Sequence, residues 1–252
     1  MGRDVIFRQL CLAIDQLFDD SISFIGVSTA GDVNPVKGEI TFATDNLLGW
    51  TGFPLKQMLE EKYGCMVEVE NDAICALIGE LDEGDGGNVT MLTFGTGVGG
   101  ASMIDGKLSR SQSTAWGHVE LYPDGPLCPG CNRHYGCAEM YVSGRALSKK
   151  IEEELHHSMD LSTFFHCYRQ AEAWTIPILR EYCMHLNNLL KMIVTSVSPT
   201  KIILGGGIMQ SSDLMLPYLD SNLMNIIRLA SHGNDAGMLG ASKLPIQSFD
   251  PF

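Results

Sequence analysis

Residues 87–109, GNVTMLTFGTGVGGASMIDGKLS, predict two apolar strands around a glycine-rich turn, followed by a tight hairpin. GNVTMLTF (87–94) is typical of a buried strand, and Asp105-Gly106 is a frequent pair in two-residue hairpin turns. Between them, GTGVGG (95–100) places glycines where backbone N–H groups can approach a phosphate closely. The same glycines also suit a bulged turn, so both explanations are open on the sequence alone.

The rest of the chain alternates helical and strand patterns. Apolar residues at helical spacing predict a helix over 4–18, and MVEVE (66–70) alternates as a strand that leads into a helical stretch. Helical patterns also cover 139–157 and most of 168–197, where Pro177 must kink or begin the helix. This alternation predicts an α/β fold.

One segment is suited to a boundary between two lobes. LDEGDGGN (81–88) is rich in Gly and Asp and lies between a helical pattern and a strand. We therefore expect an N-terminal lobe at 1–82 and a C-terminal lobe at 83–252, with the last helix able to return to the first lobe.

Composition and charge exclude several classes of function. Of the 252 residues, 45% are hydrophobic and 19% are charged, as in an ordinary globular protein. The net charge of −13 argues against nucleic acid or an anionic membrane as a partner, since both require a basic surface. No apolar run reaches the roughly 18–20 residues needed to span a bilayer. Charges interrupt the N-terminal segment, so no signal peptide is predicted and we expect a cytoplasmic protein.

A short Gly/Pro-rich segment concentrates metal-binding side chains. Within GHVELYPDGPLCPGCNRHYGCAE (117–139) lie His118, Cys128, Cys131 and Cys137, which supply the four nitrogen and sulfur ligands of a tetrahedral structural zinc site. His134 could replace one of them. A disulfide is the other explanation, but it would leave one cysteine over and fits poorly with a reducing compartment.

Two further groups of candidate functional residues directly follow predicted strands. Asn71-Asp72 comes at the end of MVEVE, where Asp72 would serve either as a functional carboxylate or merely as the cap of the next helix. GGG (205–207) follows the strand KIIL and precedes a helical stretch. This arrangement suits the edge of a nucleotide or a plain strand-to-helix turn.

Taken in order, these pieces resemble the ROK family of repressors, open reading frames and sugar kinases, within the actin-like ATPase superfamily. The matching pieces are GVSTAGDVNPVKGEI, ATDNLLGW, VENDA, LTFGTGVGGASMIDGKL, DGPLCPGCNRHYGCAEMYVSGRAL, and PTKIILGGGI with AGMLGA. They cover nearly the whole chain from about residue 24, and the ordered set is far more specific than any single piece. The cysteine segment looks most like that of N-acetylmannosamine kinases, with glucokinases close behind.

The resemblance implies a two-lobed actin-like (ribonuclease H-like) ATPase fold and ATP-dependent phosphorylation of a hexose or N-acetylhexosamine at its 6-hydroxyl. N-acetylmannosamine and glucose are the first candidates. Asp72 would be the base that takes the proton of the sugar hydroxyl as it attacks the γ-phosphate. The implied sugar-binding residues are Gly31, Thr44, Asn71, His118 and Glu139. The implied nucleotide-binding residues are Gly95, Thr96, Gly97, Gly99, Gly100, Gly205, Gly206 and Gly207.

The resemblance also implies cofactors and partners. Mg²⁺ would accompany ATP, and a structural Zn²⁺ would hold His118 through one ring nitrogen while the other nitrogen faces the sugar. The cysteine loop would then place Glu139 at the edge of the sugar. We expect small-molecule partners, no nucleic acid, no membrane and a homodimer.

The chain departs from the family pattern at three places. The family begins with a strand and a D-x-G-G-T phosphate loop, whose Asp helps to hold magnesium, and this sequence starts at the following helix without that motif. Where the family has G-E-x-G-H, this chain has TAWGH, with Ala115 in the Glu position. The family cysteines run C-x-C-G-x-x-G-C, against C-x-x-C-x-x-x-x-x-C here.

The missing motif is the gravest of these departures. Phosphoryl transfer depends on positioning and charge neutralisation, and both suffer when a metal ligand and half of the phosphate cradle are lost. We therefore expect a truncated N-terminal lobe, and the alternative function is a catalytically impaired ROK-type protein that binds or senses a sugar. A ROK repressor is a weaker alternative, because the residues before 24 leave no room for a helix-turn-helix.

Overall fold

The computed structural model describes residues 2–43, 47–109 and 116–244. Its helices are α1 (Arg3–Asp15), α2 (Leu55–Tyr63), α3 (Asp72–Glu80), α4 (Glu139–Val142), α5 (Gly144–Leu155), α6 (Leu161–Arg169), α7 (Thr175–Val197), α8 (Ser212–Met215), α9 (Ser221–Met224) and α10 (Ala236–Ser242). Its strands are β1 (Phe24–Thr29), β2 (Asp32–Val33), β3 (Ile40–Phe42), β4 (Met66–Asn71), β5 (Val89–Phe94), β6 (Val98–Ile104), β7 (Lys107–Ser109), β8 (Lys201–Gly205) and β9 (Ile227–Leu229). None of the described helices is long and apolar enough to cross a membrane.

The chain divides into two compact units. The first comprises Met1–Leu81 with Asn234–Phe252, and the second comprises Asp82–Gly233. The division after Leu81 falls at the Gly/Asp-rich segment chosen from the sequence. The segment after Gly233, which was predicted within the lobe at 83–252, belongs to the first unit instead, as the alternative for the last helix allowed.

The first unit is built on a parallel pair of strands. β1 pairs with β4 in a register that runs from Phe24 opposite Met66 to Thr29 opposite Asn71. Between β1 and β4 along the chain, β2 and β3 form a small antiparallel pair. Alternate residues of β4, Val67 and Val69, are buried in a core with aliphatic residues of α2. This alternation with period two produced the strand pattern of MVEVE.

Glycines hold α10 against α3 within the first unit. A Cβ atom on Gly240 would lie 1.7 Å from the carbonyl oxygen of Cys75, and one on Gly79 would lie 2.1 Å from that of Ala236. Such distances exclude any side chain, so the two helix backbones approach each other as closely as glycine permits. This contact is the physical reason why the C-terminal segment returns to the first unit.

The second unit contains a five-stranded mixed sheet with the order β7-β6-β5-β8-β9. β5 pairs antiparallel with β6 and parallel with β8, so the predicted strand at 87–94 lies at the centre of the sheet. α7 packs its apolar face into the core of this unit, where Leu186, Leu189 and Ile193 are fully buried.

Two predicted helices differ from the observed ones. The pattern at 139–157 is divided into α4 and α5, because Ser143 is extended (φ −85°, ψ 163°) and its side chain accepts a hydrogen bond from the N–H of Ala146. The pattern at 168–197 is divided as well, and α7 begins at Thr175. Pro177 lies in its first turn, where a missing N–H costs no helical hydrogen bond.

Candidate functional site

The first unit places Asn71 and Asp72 where β4 passes directly into α3. The Asn71 side-chain oxygen accepts hydrogen bonds from the N–H groups of Ala73 (2.9 Å) and Ile74 (3.2 Å). Asn71 is therefore the N-cap of α3. The sequence had offered capping as the plain structural role of Asp72, and the structure gives that role to its neighbour.

Asp72 itself combines solvent access with a raised proton affinity. Its side chain is exposed, and its carboxylate accepts a hydrogen bond from the N–H of Ala73 at 2.9 Å. The protein packed around it removes part of its hydration, and this desolvation raises the pKa of the Asp72 carboxyl above its ordinary value, against hydrogen bonds that lower it. A carboxylate with a raised pKa binds a proton more readily, so it can accept one from an approaching hydroxyl group.

Asn71 also connects this position to the turn after β1. Its side-chain amide donates a hydrogen bond of 2.9 Å to the carbonyl oxygen of Gly31. Gly31 has φ +102°, and a Cβ there would lie 2.5 Å from the carbonyl oxygen of Phe42. Three of the predicted residues, Gly31, Asn71 and Asp72, thus lie together in the first unit, while Thr44 lies outside the described residues.

The glycine-rich turn of the second unit is shorter than the turn at 95–100 that the sequence predicted. Phe94 pairs with Val98, so only Gly95, Thr96 and Gly97 connect β5 to β6, and the N–H of Gly95 donates to the carbonyl of Gly97 at 3.0 Å. The predicted residues Gly99 and Gly100 lie inside β6 instead. A Cβ on Gly100 would lie 2.8 Å from a ring carbon of Trp116, so this glycine makes room for the indole.

The three glycines after β8 form a strand-to-helix turn. Gly205 ends β8, and Gly207 begins a short 3₁₀ turn that continues to Ser211. Gly206 has φ +91°, and a Cβ there would lie 2.4 Å from the carbonyl oxygen of Phe94. Gly206 therefore lets this turn lie directly against the end of β5, next to the Gly95–Gly97 turn.

Both glycine turns border one cleft of about 560 Å³ in the second unit. Gly95, Thr96 and Gly207 line it together with the apolar residues Leu161, Phe165 and Ile208. This volume lies within the range of small-molecule sites, roughly 300–1,000 Å³. The combination of exposed turn backbone and an apolar wall can accept a ligand with an anionic end and a flat ring.

The remaining lining residues of this cleft were not assigned from the sequence. Gly144 and Arg145 at the start of α5, Ser148 one turn later, Ser162 on α6 and Gln210 all contribute to it. The motif SGRAL was part of the family resemblance, yet none of its residues received a role. The sequence feature that could have identified Arg145 is its place in the first turn of a predicted helix, where the helix dipole disfavours a cation.

The predicted zinc ligands converge in the second unit. One ligand atom from each of His118, Cys128, Cys131 and Cys137 lies within 4.8 Å of the other three. The Sγ atoms of Cys131 and Cys137 are 3.9 Å apart, and Cys128 Sγ lies 3.8 Å from His118 Nδ1. A tetrahedral site with metal–sulfur bonds of about 2.3 Å has edges of about 3.8 Å, so the four groups fit a zinc ion.

The geometry bears on two alternatives that the sequence left open. All eight cysteines are free, so the structure contains no disulfide in this segment. His134 lies outside the four-residue group, although its Nδ1 is 3.7 Å from Cys131 Sγ. Desolvation raises the pKa of the Cys131 thiol, but hydrogen bonds from the N–H groups of His134 and Arg133 outweigh it and lower the pKa to about 7. A thiol with that pKa is readily converted into the thiolate that binds metal.

Glu139 joins the cysteine loop to the glycine turn. It lies two residues beyond Cys137, and its carboxylate accepts a hydrogen bond from the N–H of Val98 at 3.0 Å. A Cβ on Gly130 would lie 2.8 Å from Glu139 Oε1 and 3.2 Å from His118 Cε1. Thus His118 and Glu139, both predicted to face a sugar, lie close to the same glycine of the loop.

Known proteins are similar to this chain in sequence. Residues 6–248 match the model of the ROK family. The glucokinase of Streptomyces coelicolor is 30% identical over 255 residues, which cover 87% of this chain and 79% of that protein. The N-acetylmannosamine kinase of Vibrio cholerae is 32% identical over 243 residues, which cover 88% and 80%.

A solved structure extends the likeness to three dimensions. It is a ROK family glucokinase from Streptomyces griseus in complex with glucose and AMPPNP, with 26% identity and a TM-score of 0.79, covering 96% of this chain and 88% of that chain. ROK kinase structures have the actin-like ATPase fold, so the predicted fold class is confirmed.

Proposed function

The chain belongs to the ROK family, and from that premise we propose that it is an ATP-dependent sugar kinase. It transfers the γ-phosphoryl group of ATP to the 6-hydroxyl of a hexose or an N-acetylhexosamine. Glucose and N-acetylmannosamine are the first candidates, because the relatives include a glucokinase and an N-acetylmannosamine kinase.

The observation that carries the proposal is the arrangement of Asn71 and Asp72. Asn71 uses its side chain to cap α3 and to bind Gly31, which leaves the Asp72 carboxylate available to a substrate. In the transfer, the sugar oxygen forms a bond to the γ-phosphorus while the bond from that phosphorus to the bridging oxygen of ADP breaks. Asp72 accepts the proton that the sugar hydroxyl loses.

The cleft beside the two glycine turns supports a nucleotide site. N–H groups of Gly95, Thr96 and Gly97 are suited to phosphate oxygens, and the apolar wall is suited to the adenine ring. Mg²⁺ bound to the phosphates would neutralise the charge that develops during transfer. The relative solved with glucose and AMPPNP supports both ligand classes for the family.

A structural zinc ion supports the sugar site in this proposal. His118, Cys128, Cys131 and Cys137 would bind it, which fixes the imidazole ring and the path of the chain into α4. The sugar-binding residues that we propose in the second unit are His118 and Glu139, and those that we propose in the first unit are Gly31, Thr44 and Asn71. With protein side chains in all four ligand positions, the metal would have a structural role and no open catalytic position.

The test is ADP release from MgATP with glucose or N-acetylmannosamine, compared between the unaltered chain and Asp72→Asn. We expect the variant to lower kcat by about 10² to 10⁴ and to keep the sugar affinity measured by calorimetry. Full kcat in the variant refutes the role of Asp72. Sugar binding without ADP release from the unaltered chain refutes the kinase and favours the sugar-sensing alternative. Gel filtration tests the expected homodimer.

A further inference from the structure

The cleft of the second unit is lined without carboxylates. The chain contains 30 Asp and Glu residues and has a net charge of −13, yet none of the described residues that line this cleft is acidic. Arg145 is the only charged residue among them. In a protein of this charge, a cleft that exposes one guanidinium and no carboxylate is electrostatically suited to an anion.

Arg145 has no partner within the described part of the chain. Other basic side chains of the second unit are paired, as Lys150 is with Glu181 (2.9 Å) and Arg169 is with Asp213 (2.9 Å). For Arg145 the described residues supply neither an ion pair nor a side-chain hydrogen bond. Its five N–H donors are therefore available to a ligand.

Its position in α5 adds to the positive potential. Arg145 is the second residue of a 12-residue helix whose first turn carries no acidic residue. The N-terminus of a helix carries a partial positive charge, so a cation there is disfavoured unless an anion is present. Two backbone hydrogen bonds fix it beside the glycine turn, from Gly144 N–H to Gly95 oxygen (2.8 Å) and from Arg145 N–H to Thr96 oxygen (3.2 Å).

We propose that the Arg145 guanidinium binds a phosphate group of the nucleotide in this cleft. The inference rests on the proposed function, which places a nucleotide there, and it adds the side chain that recognises its charge. Guanidinium groups match phosphate oxygens in a two-pronged geometry that lysine cannot reproduce. Arg145 is thus a nucleotide-specificity residue that favours di- and triphosphates over an uncharged nucleoside.

The experiment compares MgADP with adenosine by calorimetry on the full chain. Arg145→Met should weaken MgADP binding by about 10- to 100-fold, the range for a lost hydrogen bond to a charged group, and should leave adenosine binding unchanged. The affinity of Arg145→Lys for MgADP should lie between that of the unaltered chain and that of Arg145→Met. Lys149→Met is the matched control, because it removes the same charge from the same helix outside the cleft, and it should bind MgADP as the unaltered chain does.

Three results would overturn the inference. One is MgADP binding by Arg145→Met as tight as that of the unaltered chain. Another is an equal loss for MgADP and adenosine, which would mean that Arg145 packs against the base. The third is an equal loss in Lys149→Met, which would mean a long-range charge effect. A chain that binds neither MgADP nor adenosine would instead refute the proposed function and this inference with it.

Discussion

The Glu139 carboxylate accepts a hydrogen bond from the backbone N–H of Val98, with 3.0 Å between Oε2 and the nitrogen. Val98 is the first residue of β6 after the glycine turn, and Glu139 is the first residue of α4 after the last cysteine of the cluster. Glycine leaves room for this carboxylate on both sides, since a Cβ on Gly97 would lie 2.4 Å from Oε2 and one on Gly130 would lie 2.8 Å from Oε1. One carboxylate therefore joins the metal-binding loop to the turn proposed for phosphates.

Glu139→Ala should lower the free energy of unfolding by about 1–2 kcal/mol, because Val98 N–H loses its side-chain acceptor. Glu139→Gln should retain most of that stability, since its amide oxygen can still accept the bond. Urea denaturation of both variants and the unaltered chain measures the difference. An alanine variant as stable as the glutamine variant would show that this hydrogen bond does not contribute to the free energy of unfolding.

The metal site predicts about one zinc ion per chain by elemental analysis. Removal by a chelator should lower the melting temperature, because the binding energy of a structural metal contributes to folding. Cys137→Ser should lose the ion, whereas Cys167→Ser, a cysteine outside the cluster, should keep it. A metal-free chain that melts at the same temperature as the purified protein would contradict the assignment.

Asp72 should make stability depend on pH in a definite direction. Desolvation raises the pKa of its carboxyl in the folded protein, so the folded state holds this proton more tightly than the unfolded chain. The stabilising effect of this bound proton is fully present below the ordinary pKa of an aspartate, about 3.9, and is lost as pH rises through the pKa of the folded state. The free energy of unfolding should therefore be lower at pH 7 than near the ordinary pKa.

Asp72→Asn, which is never ionised, should melt higher than the unaltered chain at pH 7, and the difference should shrink as pH falls towards 4. Paired thermal melts across that range check this. The same shift predicts that kcat of the unaltered chain declines on the acid side above the ordinary pKa of an aspartate. An Asp72→Asn variant that melts lower at pH 7 would reverse the sign and contradict the raised pKa.

Gly240→Ala should destabilise the first unit by about 1–3 kcal/mol, because the new methyl group would overlap the carbonyl of Cys75. Gly237→Ala in the same helix is the control. Its nearest neighbour would be the Ser28 hydroxyl at 3.3 Å, a side-chain atom that can move, and alanine favours the helix. Equal denaturation midpoints for the two variants would show that the α3–α10 contact is not the tight one.

The sequence alone could predict the clustering of His118 with three cysteines and much of the succession of strands and helices along the chain. Four ligands within 20 residues must lie near one another in any compact loop, and the period-two pattern of MVEVE reports local burial. The helix at 139–157 was predicted as continuous because its letters favour helix throughout. The break at Ser143, where the side chain caps α5, is accompanied by a hydrogen bond from the N–H of Gly144 to the carbonyl oxygen of Gly95, a residue distant in sequence.

The sequence by itself determined the α/β alternation, the clustering of His118 with three cysteines and the family, because these depend on local spacing and on motifs in a set order. Only the tertiary structure decided that Asn71 rather than Asp72 caps α3, that Gly99 and Gly100 belong to β6, that α10 returns to the first unit, and that Arg145 lines a cleft without carboxylates. Each of these depends on which distant backbone and side-chain atoms come within a few ångströms. Packing and hydrogen bonding across the whole fold select those contacts, and residue propensities do not encode them.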